Sequence, residues 1–418
     1  MRIAVVGAGI VGVSTAYELV ADGHEVTVLE RRGSVAAEAS FANAGVVAPG
    51  YVAPWAAPGM PLKVMAQWFG RHAAVRLAGP SALRELPWMW RWWRACSRRA
   101  WSVNRPAMQR LARYSRERLN GLTQGLRLEY EQQPGYLVLL RGRRELRQAQ
   151  AALAMLREQG VTHELVDAQH ARRIEPWLHP GTALEAAIHL PQDGVGNCRQ
   201  FAHLLKAEAQ RAGARFRFDT VARRVVPGPQ PAVELEAGER IEFDAVVICA
   251  GVDAAPLLAP LGLHLPLAPV FGYSITAPLR HADGADGAGP RSAVMDERYK
   301  VAITRLGQRV RVAGAAELGG SVDRMRAAPL ATLYKVLDDW FPGATRPREA
   351  QAWKGARPML PDGPPVLGAS GRPGVWLNVG HGSSGWALAC GSARVLADQV
   401  AGRPAAIDLT ALEVARLR

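Results

Sequence analysis

Two short, mostly apolar runs separated by a helical pattern begin the chain. Residues 3–6 and 26–29 are typical of buried strands. Between them, apolar side chains recur on one side of a helix, at Val13, Ala16, Tyr17 and Val20. Because Gly23 and His24 interrupt this spacing before the second run, the pattern predicts a strand–helix–strand unit with parallel strands.

The same periodicities divide the rest of the chain. Apolar or alternating runs predict strands at residues 136–140, 186–190, 215–218, 246–249, 270–275, 299–304, 309–313 and 375–378. Amphipathic spacing predicts helices at residues 86–101, 145–159, 201–212, 331–341 and 386–400. The polar, Gly- and Ala-rich residues 281–289 are predicted to form an exposed loop.

The order of these elements predicts an α/β fold with a discontinuous Rossmann-like domain. We assign residues 1–85, 186–256 and 350–418 to this nucleotide-binding domain, because they hold the initial unit, a later apolar strand and a glycine-rich tail. Residues 86–185 and 257–349 are expected to form an inserted α+β substrate domain with a mostly antiparallel sheet.

A glycine-rich turn joins the first predicted strand to the first predicted helix. Its spacing is Gly7-x-Gly9-x-x-Gly12, and Glu30 ends the second strand about twenty residues later. The glycines permit a tight turn, close approach of a pyrophosphate and close helix–strand packing. The helix N-terminus attracts phosphates, and Glu30 can accept hydrogen bonds from ribose hydroxyls. The turn therefore predicts a dinucleotide site.

Length and composition limit the cellular setting. The 418 residues suffice for about two domains, and no apolar run is long enough to suggest a membrane span. The apolar N-terminus resembles a secretory signal, but its cleavage would destroy the nucleotide turn. We therefore expect a cytoplasmic protein, which could be peripheral on the inner face of the cell membrane.

Net charge and cysteine content give less information about partners and bound metals. The net charge of +14 is consistent with attraction to an anionic membrane or nucleic acid, and equally with an arginine- and alanine-rich genome composition. The four cysteines are scattered without a CxxC pair, which predicts buried reduced thiols and no metal site.

The predicted helix at residues 86–101 has an unusual composition. Arg91, Arg94 and Arg98 share one face, and the other face is rich in tryptophan. This pattern fits a helix at a membrane interface, and it also fits a core-packed helix with solvated arginines. The sequence leaves both interpretations open.

The C-terminal part carries a second glycine-rich turn and a constrained arginine. Glycine and proline within residues 353–368 exclude a helix there, so that Arg357 is held on a stiff loop or strand as a bidentate partner for a carboxylate. The turn at residues 380–385 then opens the last predicted helix and offers further free N–H groups. Two anion sites exceed the need of NAD and fit FAD, with the second facing the isoalloxazine.

Together these motifs resemble the D-amino acid oxidase and glycine oxidase superfamily of flavoproteins. The chain looks most similar to the small-subunit type of bacterial D-amino acid dehydrogenases over nearly its whole length. The resemblance rests on the sequences VVGAGIVGVSTAYEL, ANAGVVAPGYVAPWAAPG, GYSIT, ERYKVAITR, GARPMLPDGPPVLG and GHGSSGW.

This resemblance implies non-covalent FAD, a small D-amino acid substrate and hydride transfer from its α-carbon to flavin N5. The imino acid then hydrolyses to a 2-oxo acid and ammonia, and electrons pass to a quinone or another non-oxygen acceptor. Arg357 matches the carboxylate-binding arginine of the family. Tyr273 is the next candidate for the substrate site, either as a hydroxyl that binds the substrate carboxylate or as a wall of the pocket. Tyr51 and Tyr299 are weaker candidates, since tyrosine also packs in cores.

The cofactor contacts expected from the motifs and the resemblance lie along both glycine turns and the segments between them. They are Gly7, Ala8, Gly9, Ile10, Val11, Gly12, Glu30, Arg31, Ser40, Asn43, Ala44, Gly45, Val221, Ala250, Gly251, Gly380, His381, Gly382, Ser383, Ser384 and Gly385.

Three alternatives remain at this point. Related flavoenzymes act on D-proline, hydroxy-D-proline or glycine. A basic RNA-binding flavoprotein is a second alternative, although no nucleic-acid-binding module is recognisable and we expect no nucleic-acid partner. A NAD-dependent dehydrogenase is the third, and the C-terminal glycine turn argues against it.

Overall fold

The computed structural model describes residues 1–67, 70, 72–280 and 289–417. Residues 281–288 of the predicted exposed loop lie outside the described part. The described strands, in chain order, are β1 (Arg2–Val6), β2 (Glu25–Leu29), β3 (Val46–Val47), β4 (Val75–Leu77), β5 (Gln133–Leu140), β6 (Glu164–Asp167), β7 (Ala186–Val195), β8 (Arg215–Arg217), β9 (Ala222–Val226), β10 (Ala232–Leu235), β11 (Arg240–Glu242), β12 (Ala245–Ile248), β13 (Ala268–Pro278), β14 (Ala293–Asp296), β15 (Val301–Leu306), β16 (Arg309–Leu318), β17 (Gln351–Met359), β18 (Val366–Ala369) and β19 (Val375–Val379).

The described α-helices are α1 (Ile10–Ala21), α2 (Met60–Gln67), α3 (Leu86–Ala95), α4 (Arg98–Gly125), α5 (Arg143–Glu158), α6 (Ala168–Ile174), α7 (Cys198–Arg211), α8 (Ala254–Leu258), α9 (Ala327–Trp340) and α10 (Gly385–Val400). Within the described residues, no helix combines the length and apolar composition needed to cross a bilayer. The four cysteines are all free thiols.

The smaller of the two main sheets is the nucleotide-binding sheet. Its strand order is β18-β19-β12-β1-β2-β8, and β1 pairs in parallel with both β2 and β12. Strand β19, from the C-terminal part of the chain, pairs in parallel with β12. The predicted strand–helix–strand unit is confirmed, and the two glycine turns follow strands of one sheet.

Alternation along β1 explains how this sheet is buried on both faces. Ile3 and Val5 pack with apolar residues of α1, α7 and α10 on one face. Ala4 and Val6 pack on the other face against α8 and the small sheet β11-β10-β9. A strand buried on both faces is a continuous apolar run, which is the signal that the sequence carries.

The larger sheet is mixed and mostly antiparallel. Its strand order is β17-β13-β16-β15-β14-β5-β7-β3, with β4 beside β16 and β6 beside β7. Helices α6 and α9 cover one face, where Leu137, Ile275 and Val312 are buried. Helix α5 packs at one end of the opposite face, and the rest of that face is turned toward the nucleotide-binding sheet. The α/β class with a second, mostly antiparallel sheet is as predicted.

The strand pairing differs from the predicted domain bounds at β3, β4, β7 and β17, which all belong to the larger sheet. Strand β7, which we assigned to the nucleotide-binding domain from residue 186, pairs with β5 in the larger sheet. Strand β17, assigned to the same domain from residue 350, pairs with β13 in the larger sheet. Apolar alternation identifies a strand but does not contain the identity of its partner, so the borders could not be assigned from periodicity alone.

The tryptophan-rich segment forms two helices where one was predicted. Helix α3 ends at Ala95, and Ser97 caps α4 by accepting a hydrogen bond from the Ala100 N–H at 3.2 Å. Trp88 is buried, and its indole N–H donates to the Met359 carbonyl at 2.9 Å. Trp90 and Trp93 are more than half exposed, at 58% and 52%, and their rings stack 5.0 Å apart. The tryptophans of α3 are therefore divided between a buried and an exposed side of the helix.

Three helices around the nucleotide-binding sheet are joined by a buried carboxylate. Glu18 of α1 is fully buried, and both of its oxygens accept hydrogen bonds from Arg118 of α4 at 2.6 and 2.7 Å. Arg394 of α10 donates to Glu18 at 2.8 Å and also pairs with Asp22. This ion cluster fixes α10, and with it the second glycine turn, against α1.

Candidate functional site

One large cavity lies between the two sheets. Its volume is about 1440 Å³, and both glycine turns and Arg357 line it. The cavity extends along β13, β16 and β15 to the apolar side chains beneath α5. The residues that the sequence analysis associated with cofactor and substrate therefore border the same space.

The first glycine turn has the geometry that its spacing predicts. Gly7 has φ +102°, and a Cβ there would lie 2.7 Å from the Cys249 carbonyl oxygen. A Cβ on Gly12 would lie 1.9 Å from the Gly7 carbonyl oxygen. At Gly9 the nearest atom to an added Cβ is the Ser40 hydroxyl at 3.5 Å, and this residue faces the cavity. Two glycines thus allow close packing, and the third leaves room for a ligand against the backbone.

Glu30 closes the cavity at the end of β2. Its two oxygens accept the backbone N–H groups of Ala8 at 2.6 Å and Arg32 at 2.8 Å. A carboxylate offers about four lone-pair positions, so that two remain for the hydroxyls of a ribose. Ser40 accepts the Ile10 N–H at 3.1 Å, which leaves its own hydroxyl proton for an anion at the helix start.

The second glycine turn lies against the end of β17. Gly380 and Gly382 have φ +80° and +57°, and added Cβ atoms would meet Leu360 and Met359. His381 forms an isolated bridge with Met359, and its Nε2 lies 3.0 Å from the Ser392 hydroxyl. Burial lowers the pKa of His381 to about 3, so the ring is neutral at physiological pH.

Arg357 projects from β17 into the cavity. Its Nη1 donates to the Ala315 carbonyl at 2.9 Å, and within the described residues no carboxylate lies within 4.0 Å of its guanidinium. Burial lowers the pKa of Arg357 to about 10, so the group remains cationic at neutral pH. A half-buried, uncompensated guanidinium is a binding site for an anion, and a carboxylate fits it in bidentate geometry.

A β-bulge provides the carbonyl that holds Arg357. The register between β13 and β16 shifts between Phe271 and Tyr273, and Ala315 has φ +58°. A left-handed alanine is uncommon, and here it turns the carbonyl of the bulge toward the guanidinium. Sequence reasoning missed this residue because alanine carries no turn signal.

Two of the candidate tyrosines have their hydroxyls engaged. Tyr273 borders the cavity, but its side chain is only 1% exposed and its hydroxyl donates to Glu317. Burial and the Glu317 carboxylate raise the pKa of Tyr273. Tyr51 also lines the cavity, and its hydroxyl donates to Glu297 at 2.9 Å. Since each hydroxyl already donates to a carboxylate of the protein, neither is available to donate to a substrate carboxylate. Tyr273 stays a prediction for the wall of the pocket, because it borders the cavity.

Tyr299 lies outside the cavity lining. Its ring packs beneath the larger sheet, with the Arg141 guanidinium 5.1 Å from its centroid. The chain turns at Lys300, which has φ +53°, immediately before β15 begins. Tyr299 is therefore in a turn rather than at the start of a strand, and its position does not support the predicted place in the site.

Trp353 and Arg311 are residues of this region that sequence reasoning missed. The Trp353 indole lines the cavity and stacks on Phe41 with centroids 6.4 Å apart. Arg311 is buried, and it donates to the Asn43 carbonyl at 3.0 Å, which fixes the loop after Ser40. The available signals were the aromatic residue two positions before Gly355 and the arginine within an otherwise apolar strand.

The residues around the cavity fit FAD. The predicted contacts that line it include Gly7, Gly9, Ile10, Val11, Glu30, Arg31, Ser40, Asn43, Ala44, Gly45, Val221, Ala250, Gly251, Gly380, His381, Gly382, Ser383, Ser384 and Gly385. Ala8 and Gly12 are outside the lining, because Ala8 is covered by its bond to Glu30 and Gly12 packs on Gly7. The individual contacts with FAD stay predictions.

The FAD dependent oxidoreductase family matches residues 2–399 of the chain. The chain belongs to this family. It is therefore an FAD-dependent oxidoreductase, and the cofactor expected from its two glycine turns is confirmed.

Full-length relatives support the same assignment. The chain is 43% identical to a D-amino acid dehydrogenase from Cereibacter sphaeroides, covering 100% of this chain and 95% of the relative. It is 41% identical to a D-amino acid dehydrogenase from Bradyrhizobium diazoefficiens, covering 100% and 99% of the two chains.

Solved structures of the same fold are more distant in sequence. The glycine oxidase from Geobacillus kaustophilus superposes with a TM-score of 0.77 at 22% identity, covering 99% of this chain and 98% of the other. The iminodiacetate oxidase from Chelativorans superposes with a TM-score of 0.74 at 24% identity, covering 99% and 98%. These likenesses support the fold, as the resemblance in the sequence implies.

Proposed function

We propose that the chain is a dehydrogenase of D-amino acids, which it converts to 2-oxo acids and ammonia. The observation that carries this proposal is the guanidinium of Arg357, which is without a carboxylate partner among the described residues and lines the same cavity as both glycine turns. Relatives that carry the name D-amino acid dehydrogenase match the chain over its full length at 41–43% identity.

The protein's own contribution is binding and orientation. Arg357 holds the substrate carboxylate, and the Ala315 carbonyl fixes the direction of the guanidinium. His381 is neutral, so it adds no positive charge that would repel the amine of the substrate. FAD, when bound, supplies the acceptor for the hydride from the α-carbon. The amine loses a proton in the same oxidation, and water hydrolyses the resulting imino acid.

Anaerobic titration of the purified flavoprotein tests the reaction. D-amino acids should bleach the oxidised flavin absorbance, and the L-enantiomers should not. Equal bleaching by both enantiomers, or none by any D-amino acid, would contradict the proposal. This measurement reports cofactor reduction and stereochemistry without requiring the physiological acceptor.

A pair of arginine variants tests the role of Arg357. Arg357→Ala should raise the half-saturating substrate concentration by at least about 100-fold with little change in flavin content, because the charge-assisted pair is lost. Arg357→Lys keeps the charge without the bidentate geometry, so it should fall between the alanine variant and the native chain. An unchanged half-saturation in Arg357→Ala would remove the carboxylate role.

For the electron acceptor, we propose a quinone reached from an anionic membrane surface. The support is a group of exposed apolar residues in α2, in the turn before α3 and in α3 itself, which we call the patch. It consists of Leu62, Met65, Leu83, Leu86, Trp90 and Trp93, each more than half exposed. The cations Lys63, Arg84, Arg91 and Arg94 lie in the same segments and are exposed.

The position of this patch relative to the cavity favours such an acceptor. Met60 and Val64 of α2, together with Met89 and Trp92 of α3, line the cavity, while the patch residues of the same helices face outward. Apolar side chains flanked by cations match an anionic bilayer, which would bring a lipid-soluble acceptor to the cavity edge.

Flotation with liposomes tests the membrane contact. The native chain should float with vesicles containing anionic lipid and remain behind with neutral ones, and Trp90→Ala/Trp93→Ala should abolish flotation. The matched control is Trp177→Ala, which removes a half-exposed tryptophan elsewhere on the surface. Equal recovery of the native chain and the double variant with the vesicles would contradict the proposed role of the patch in membrane binding.

The acceptor itself needs a separate measurement. The substrate-reduced flavin should be reoxidised by a short-chain ubiquinone analogue much faster than by dissolved oxygen. Faster reoxidation by oxygen would make the chain an oxidase and would contradict the quinone proposal.

A further inference from the structure

On the face of the larger sheet that lines the cavity, a pair of adjacent glycines leaves the backbone without side chains, and we call this place the gap. Gly272 of β13 and Gly355 of β17 are directly opposite each other in the antiparallel register. Both line the cavity. Neither has the left-handed backbone conformation that favours glycine. Glycine is therefore needed at these positions because it has no side chain, and not because of its backbone freedom.

Two large side chains lie on this gap. A Cβ on Gly272 would be 2.3 Å from Nη2 and 2.5 Å from Cζ of Arg357. A Cβ on Gly355 would be 1.9 Å from Cη2 and 2.3 Å from Cζ2 of Trp353. The guanidinium and the indole therefore both rest flat against the bare backbone of adjacent strands.

The register explains why these two side chains converge. Trp353, Gly355 and Arg357 are alternate residues of β17, so they share one face of the sheet. Opposite residues of an antiparallel pair have Cβ positions about 4.5–5.5 Å apart, so the guanidinium carbon and the indole tip lie within about 10 Å of each other. A small amino acid whose carboxylate binds the guanidinium is short enough to have its side chain in contact with the indole.

Phe41 packs against the Trp353 indole. The two rings are stacked at 6.4 Å with an interplanar angle of 27°, and the Arg199 guanidinium lies 4.2 Å from the Phe41 centroid. The indole thus contacts both the glycine backbone and an aromatic ring, and these contacts fix its position in the cavity wall.

We infer that Trp353 is the residue that sets the accepted length of the substrate side chain. This inference rests on the proposed oxidation of D-amino acids and adds a specificity determinant to it. With the carboxylate held by Arg357, the indole forms the wall against which a growing side chain ends. The Gly272–Gly355 pair makes the arrangement possible by leaving space for both groups.

A series of unbranched substrates tests the inference in the full-length holoenzyme. The measured quantity is kcat/KM for D-norleucine divided by kcat/KM for D-alanine, with a dye as acceptor. Trp353→Ala should raise this ratio at least about tenfold, because methylenes that met the indole are accommodated, and one methylene in an apolar pocket changes kcat/KM by about tenfold or more. Trp353→Phe should give an intermediate ratio.

A second variant keeps the indole and moves it. In Gly355→Ala the new Cβ would lie between the sheet and the ring, so the ring must rise into the cavity. The ratio should then fall below the native value, opposite to the effect of Trp353→Ala. The control Trp177→Ala lies elsewhere on the surface and should leave the ratio unchanged.

The outcomes separate this inference from the proposed function. If the native enzyme oxidises D-amino acids and the ratio stays within about twofold in both Trp353→Ala and Gly355→Ala, the specificity role is wrong. Loss of flavin from Trp353→Ala with an unchanged ratio for the remaining holoenzyme would make the indole a cofactor contact instead, which also overturns it. Failure of the native enzyme to oxidise any D-amino acid would instead reject the proposed function.

Discussion

Arg357 combines three features that are rarely found together in a residue with a purely structural role. Its guanidinium lies in a cavity, its pKa is lowered to about 10 by burial, and one carbonyl is its hydrogen-bond partner among the described residues. Leaving a cation without a carboxylate partner costs stability, which a substrate carboxylate recovers on binding. Pairing of this one guanidinium with the substrate carboxylate should therefore contribute a substantial part of the free energy of substrate binding.

Gly272 should be as important for substrate binding as the arginine that it accommodates. In Gly272→Ala the added Cβ would meet the guanidinium at 2.3 Å, so the cation must move although the backbone can stay. We expect KM to rise at least tenfold, because displacement of a positioning group by about 1 Å can cost as much as 100-fold. Steady-state kinetics with D-alanine measure this effect.

The control for this prediction is Gly121→Ala. A Cβ on Gly121 meets no atom within 4 Å, so this variant should leave KM unchanged. A native KM in Gly272→Ala would show that the guanidinium is not the group that binds substrate. Flavin content should be native in both variants.

At the residue scale, the sequence could identify charged and cofactor-binding residues but not hydroxyl partners. Arg357 was predictable because proline and glycine around it exclude a helix. The hydrogen bond of the Tyr273 hydroxyl was not predictable. Its partner, Glu317, lies far from it in the sequence and comes close only because β13 pairs with β16.

Helices α1, α4 and α10 depend on one another through the buried Glu18. Its carboxylate accepts hydrogen bonds from Arg118 and Arg394, and it is completely inaccessible to solvent. The cluster connects the N-terminal nucleotide turn with the helix that follows the second glycine turn. Disruption of the cluster should therefore affect both ends of the cofactor site together.

Glu18→Gln should lower the free energy of unfolding by about 3 kcal/mol. The reason is that two arginines of adjacent helices lose a buried anionic partner, and breaking one side of a buried pair costs about 3–5 kcal/mol. Urea unfolding of the native chain and the variant measures the difference.

The matched control for Glu18→Gln is Glu239→Gln. Glu239 forms an exposed ion pair with Arg217, which solvent screens, so its loss should have little effect on the free energy of unfolding. Equal losses for the two variants would mean that the Glu18 cluster does not carry the contact between the helices.

At the element scale, periodicity located most helices and strands but not their partners. The predicted strands at 246–249 and 375–378 were close to β12 and β19, because buried parallel strands are continuous apolar runs. The break between α3 and α4 was not predicted. Its signal in the sequence is a single serine, the cap residue Ser97, within an otherwise uninterrupted helical pattern. Gly272 and Gly355 lie opposite each other because of the strand register, which the sequence does not reveal and which is irregular at the adjacent bulge.

At the scale of the whole molecule, two buried carboxyl groups of the described residues, Asp193 and Glu175, have raised pKa values. Burial raises the pKa of Asp193 and of Glu175 to about 7. Asp193 accepts the Gly50 N–H, and its Oδ2 has no partner among the described residues. Glu175 accepts the Arg291 N–H at 2.8 and 2.9 Å. In the unfolded chain both groups ionise near pH 4.

Stability should therefore fall as the pH rises from about 5 to 7. In this window the unfolded chain has already released the two protons and the folded chain still holds them, so a higher pH favours unfolding. The effect ends once the pH exceeds the pKa of about 7 in the folded protein. Thermal unfolding at constant ionic strength should give a higher Tm at pH 5 than at pH 8.

Asp193→Asn isolates one of the two groups. The amide can still accept the Gly50 N–H but cannot ionise, so the variant should show a smaller decrease in Tm over the same pH range. The exposed Asp323→Asn serves as the control and should keep the native pH dependence. A native pH dependence in Asp193→Asn would assign the effect to other groups.

At the scale of the whole molecule, the fold class was predictable and the borders of its parts were not. The two glycine turns were recognised at opposite ends of the chain, and the parallel pairing of β19 with β12 and of β12 with β1 brings them to one sheet. The larger sheet also recruits β3, β4 and β17 from segments assigned to the nucleotide-binding domain. Sheet membership is decided by packing between distant segments, which no local pattern contains.

The strand order of the nucleotide-binding sheet also has a consequence for synthesis on the ribosome. Strand β1 emerges first, but its sheet is completed by β19, and the second glycine turn follows β19. A nascent chain cannot form the complete flavin pocket until β19 and the second glycine turn have been synthesised. Ribosome-bound fragments that stop before β19 should consequently fail to retain the flavin, however well their first domain segments have folded.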